Sequence, residues 1–91
     1  MPEIDKDAVT RIIGEIDELL AMRQGFVEAY RDWTQKVGDE LKAAIGEELA
    51  AEFERKGPRQ APVNRQHRVH IYRQRLHAQQ KFLQDLLEGA S

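Results

Sequence analysis

The stretch VTRIIGEIDELLAMRQGFVEAYRDWTQKV, residues 9–37, decides the fold class. Its apolar side chains (Val9, Ile12, Ile13, Ile16, Leu19, Leu20, Phe26, Val27, Tyr30, Trp33 and Val37) recur mostly three or four residues apart. At about 100° per residue they cover a helical band about 160° wide, with Asp17, Glu18, Glu28 and Asp32 on the opposite side. A band of that width belongs to a helix in a bundle, because a two-stranded coiled coil needs only a narrow seam. Asp5 or Asp7 is placed to cap its start, where acids also suit the helix dipole. The spacing predicts a first helix over residues 5–37.

Beyond it, Gly38-Asp39 marks a predicted bend or turn. Asp39 can serve as an N-cap, and the apolar residues Leu41, Ile45, Leu49 and Phe53 are centred about 70° away from the earlier band. A second helix is predicted over 39–56, with a single bent helix reaching Lys56 as the alternative. Gly57-Pro58 ends this segment, since glycine suits a helix C-terminus and proline cannot continue a helix. Pro62 fits the first turn of a third helix over 62–87. The expected architecture is all-α: three helices in one domain spanning residues 1–91, completed into a bundle by oligomerisation. The second helix is too short to cover the first, so apolar surface should remain on a monomer. A homodimer or a larger complex would bury it.

Composition narrows the possible functions. At 91 residues the chain can bury only a limited core. The absence of cysteine excludes disulfides and thiolate metal sites and fits a reducing compartment. No apolar run approaches the ~20 residues of a membrane span, and Met1-Pro2-Glu3-Ile4-Asp5 lacks the features of a signal peptide. A cytoplasmic protein without membrane contact is expected. Gly-rich phosphate loops, zincin motifs and nucleophile elbows are all missing, and the single serine is Ser91. No catalytic residue, cofactor or metal is expected.

Charge is divided unevenly. Residues 1–56 carry 8 Lys and Arg against 14 Asp and Glu, while residues 57–91 carry 6 against 2. From Pro58 to Lys81 there is no acid at all. Either the two halves neutralise each other across helix interfaces, or the basic half meets an external polyanion. Projected as a helix, Val69, Tyr72, Leu76, Leu83 and Leu87 form an apolar centre with Arg65, Arg68 and Arg75 in or beside it. His67, His70 and His77 fall on the opposite face with Arg73 and Lys81.

Three sets of candidate residues follow. Phe26, Tyr30 and Trp33 are the expected anchors of a protein interface, with Arg68 and Arg75 contacting acids of a packed helix. Arg59, His67, His70, Arg73, His77 and Lys81 could meet nucleic-acid phosphates, although no aromatic residue on that face could stack a base. Arg23 projects into the first helix's apolar band, where it must leave the bundle, find a carboxylate or bind a ligand anion.

The run Arg11-Ile12-Ile13-Gly14-Glu15-Ile16-Asp17-Glu18-Leu19-Leu20-Ala21-Met22-Arg23 resembles the first helix of the all-helical chorismate mutases. The resemblance implies an inward Arg23 gripping a substrate carboxylate, and Pro62-Val63 with Arg65 and Arg68 echoes the start of that family's second helix. It covers about one helix. The long gap from Arg23 to Pro62, the missing lysine after Arg23 and the early end of the chain keep it short of an assignment. The leading expectation is a small helical protein–protein interaction module, an accessory subunit, adaptor or chaperone-like protein, whose partner is itself or another protein. Nucleic-acid binding through residues 59–81 and a small helical enzyme or anion-binding protein using Arg23 are the alternatives.

Overall fold

The computed structural model describes residues 4–89 and is all-helical, with no strand among the described residues. Four helices follow one another: α1 (Lys6–Ala21), α2 (Phe26–Ile45), α3 (Glu47–Arg55) and α4 (Arg65–Gly89). Asp5 caps α1, its side chain accepting from the Ala8 N–H at 3.1 Å.

The predicted first helix, 5–37, is in fact a hairpin. Met22 leaves the helical conformation, and Gly25 turns the chain at φ 69°, a left-handed geometry natural to glycine. The apolar spacing hid this turn. Leu19 and Phe26 are seven residues apart, close to two helical turns, so the loop keeps the stripe in phase. The predicted break at Gly38 is absent, because α2 runs on through Gly38 and Asp39 to Ile45. The chain turns instead at Gly46, with φ 90° and ψ 163°. The change of phase beyond Gly38 has another cause: α3 folds back on α2 there, placing Phe53 edge-on to Trp33 at 6.3 Å.

Gly57-Pro58 does end the third segment, and α4 begins three residues later than predicted. Asn64 rather than Pro62 sets its start. The Asn64 side chain accepts from the His67 N–H at 2.8 Å and its carbonyl from the Arg68 N–H at 3.0 Å.

The Asp5 N–H reaches the Ala44 carbonyl at 2.9 Å, which brings the start of α1 to the end of α2. α4 runs antiparallel to α1: Arg73 bonds the carbonyls of Leu20 and Met22, and Gln80 bonds the Ile13 carbonyl and the Asp17 carboxylate. The stacked rings of Tyr30 and Tyr72, with centroids 4.2 Å apart, join α2 to α4. The turn between α1 and α2 and the starts of α2 and α4 therefore lie at one end of a body measuring 42 × 23 × 21 Å.

Val9, Ile12, Ile16, Leu41, Ile45, Phe53, Ile71, Leu76 and Leu83 form the core. Among the described residues the apolar surface expected to remain on a monomer is mostly covered, with side chains such as Leu86 and Leu87 partly buried. Among the described residues the only large hydrophobic side chain left exposed is Val63. The hairpin explains why: folding α1 back on α2 buries against each other surfaces that a single long helix would have left open.

Candidate functional site

The ion pairs among the described residues do not resolve the charge asymmetry. Among the described residues the one salt bridge is Arg11–Glu40 at 3.5 Å, an exposed pair between α1 and α2 that contributes little to stability. Among the described residues no acid of the first half pairs with an arginine of α4. Arg75, expected to meet an acid, donates from Nε to the Pro58 carbonyl at 2.8 Å and lies over the Tyr72 ring.

Arg23, Arg31, Arg65, Arg68 and Arg73 instead converge on a cleft of about 380 Å³ at the end where α2 and α4 begin. Its walls are Met22, Phe26, Val27 and Val69, and its one acid is Glu28. Arg23 is exposed in the turn after α1. This corrects the expectation that it projects into an apolar helical band, and with it the inward geometry implied by the resemblance to chorismate mutases. Arg31 and Arg65 are exposed and Arg68 is half-buried; none of these four arginines has an ion pair among the described residues.

Arg73 differs from the others. Expected on the outward face, it is half-buried, donating from both terminal nitrogens to the Leu20 and Met22 carbonyls at 3.2 Å each. Its guanidinium also lies 5.4 Å from the centre of the Phe26 ring. The helical projection failed because α4 packs against two neighbours, α1 on one side and α2 with α3 on the other, and so has no single buried face.

Local helix electrostatics add to the positive potential. The first turn of α4 holds Arg65 and Arg68 and no acid, the reverse of what a helix N-terminus favours. α2 starts beside it after Gly25 with no side-chain cap. Like charges gathered on one cleft repel, and an anion relieves that repulsion. Planar guanidinium groups suit two-point hydrogen bonding to carboxylate or phosphate oxygens.

The other expected site residues do not gather on one surface. Phe26 and Tyr30 are 5% and 6% exposed and belong to the core, while Trp33 is half-buried and donates to Glu15 at 3.0 Å. Arg59 donates to the Glu54 carbonyl at 2.6 Å. His67 holds the loop before α4, its Nδ1 accepting from the Val63 N–H at 3.1 Å with Gln60 3.4 Å from Nε2. His70 and His77 are exposed on α4, and Lys81 lies toward its far end beside Lys56 and Asp85. Among the described residues no three histidine or carboxylate side chains could hold a metal ion together.

Arg31 escaped the sequence reading altogether. It lies in an acidic region, and only the hairpin turn brings it to the start of α4. Gln79 was also missed. Its amide is 6% exposed, donates to the Phe53 carbonyl at 3.3 Å, and leaves Oε1 without a partner. The Phe53 carbonyl also accepts from the Lys56 N–H at 3.2 Å, so it keeps a partner if Gln79 is removed. Gln79→Leu is therefore expected to raise stability by about 1 kcal/mol, read from the midpoint of urea unfolding.

Comparison of the chain with known family models, with curated proteins and with solved structures yields no match. No helix among the described residues is long and apolar enough to cross a membrane.

Proposed function

We propose that this chain is a small helical protein–protein interaction module that docks an acidic segment of a partner protein on its arginine-lined end. The observation that carries the reading is the convergence of Arg23, Arg31, Arg65 and Arg68, none of them in an ion pair among the described residues, on one cleft with an apolar floor. Rigid helices present these groups, and an acidic peptide supplies both carboxylates for the arginines and side chains for Val27 and Val69. The cysteine-free composition suits work in a reducing compartment such as the cytoplasm.

An acidic polypeptide fits better than a nucleic acid. The whole chain carries a formal charge of −2, so a long polyanion would meet repulsion beyond the cleft. The residues first considered for phosphate contact are dispersed, and Arg59, His67 and Arg73 already hold backbone groups.

The test is fluorescence anisotropy with a labelled Glu- and Asp-rich peptide and, separately, a single-stranded oligonucleotide of equal charge. The peptide is expected to bind saturably, more tightly than the oligonucleotide, and more weakly as salt rises. A triple variant carrying Arg23→Glu, Arg65→Glu and Arg68→Glu should weaken binding at least ~30-fold while leaving the thermal midpoint within a few degrees, because none of the three is a core group. Equal peptide binding by the triple variant, or tighter binding of the oligonucleotide, would overturn the proposal. Light scattering on the free protein adds a check on the partner: self-association abolished by the same variant identifies a second copy as the source of the acids.

A further inference from the structure

A second cleft, separate from the arginine-lined end, lies between α2, the end of α3 and the middle of α4. It has a volume of about 330 Å³, and Trp33, Val37, Leu41 and Phe53 supply its apolar lining. Arg59, Arg75 and Gln79 supply polar groups, and Glu54 is its one acid. Small-molecule sites combine these features: mostly apolar walls, a few polar groups brought together, and a volume of roughly 300–1,000 Å³.

Three details give the cleft chemical character. Arg59 and Arg75 are each fixed by one bond to a main-chain carbonyl, Glu54 at 2.6 Å and Pro58 at 2.8 Å, and retain further N–H donors. Two arginines against one glutamate leave the lining with one net positive charge, which suits a monoanion rather than a phosphate dianion. Gln79, 6% exposed, keeps its Oε1 buried out of an occupant's reach, so the two arginines supply the donors.

We infer that this cleft binds a small aromatic carboxylate. The carboxylate meets the free N–H groups of Arg59 and Arg75, and the ring packs against Trp33. The inference stands apart from the docking of an acidic segment, since the two clefts share none of the residues lining them.

Trp33 is the chain's single tryptophan and lines this cleft, so its emission responds when the cleft is filled. The probe is 4-hydroxyphenylacetate, titrated by calorimetry with Trp33 emission as the second readout. Saturable binding with Kd on the order of 0.1 mM is expected, with the uncharged 4-methylphenol several-fold weaker. Two substitutions at exposed positions leave the core intact: Thr34→Phe, which fills the cleft, and Arg59→Gln, which removes a charge. Each should weaken binding about tenfold with unchanged helicity. Failure to saturate at ~10 mM, or unchanged affinity in both Thr34→Phe and Arg59→Gln, would overturn the inference.

Discussion

Gly57→Ala is expected to destabilise the protein by about 3 kcal/mol or more, the largest effect of any single substitution considered. Gly57 adopts φ 89°, and a Cβ built there would lie 2.6 Å from the Arg75 Cα and 2.9 Å from its Cγ. Left-handed backbone alone costs an alanine about 1 kcal/mol. The rest comes from overlap with the backbone of α4, which cannot retreat cheaply because Leu76 beside the contact is fully buried. Gly25→Ala isolates the two contributions. Gly25 also has positive φ, at 69°, but nothing lies within 4 Å of a Cβ there. Its substitution should cost about 1 kcal/mol. Urea unfolding of both variants makes the comparison, and equal losses would show that the approach of α4 to Gly57 carries no weight. The effect should extend to the second cleft, because Arg75 bonds the carbonyl of Pro58, the residue after Gly57.

The helical class, the cap at Asp5 and the stop at Gly57-Pro58 were legible because each depends on local chemistry: spacing, a short polar side chain, and a residue without an N–H. The turns at Gly25 and Gly46 were not. A glycine in a sequence does not announce positive φ, and at Gly25 the stripe stays in phase on both sides of the turn. Misplacing that turn displaced everything that depends on it. With α1 and α2 read as one rod, Arg23 falls among apolar residues and nothing singles out Arg31. Once the rod folds at residues 22–25, both lie beside the start of α4. Composition showed an excess of positive charge in the second half, but the candidate cleft draws on both halves. Its assembly is a tertiary fact, with partners more than thirty residues apart in the chain.

Arg73→Ala should lower stability by about 2–3 kcal/mol, although Arg73 lies among arginines whose loss should cost almost nothing. α1 ends without a basic residue in its last turn, so its C-terminal carbonyls lack the cation that the helix dipole favours. Arg73 supplies that cation from α4, through hydrogen bonds to Leu20 and Met22 at 3.2 Å, and its guanidinium also covers the Phe26 ring. Arg73→Lys keeps the charge but loses the planar fork that reaches two carbonyls, so it should recover only about half of the loss. Arg65→Ala, by contrast, should change stability by less than about 0.5 kcal/mol. The pair also separates structural from binding roles within one cluster. Arg65→Glu is expected to weaken capture of an acidic peptide with little change in the thermal midpoint, whereas Arg73→Ala should lower both, because the end of α1 that it holds forms one wall of the cleft. A thermal midpoint insensitive to Arg73→Ala would mean that the turn at residues 22–25 is held by other contacts, and that Arg73 belongs with the binding arginines after all.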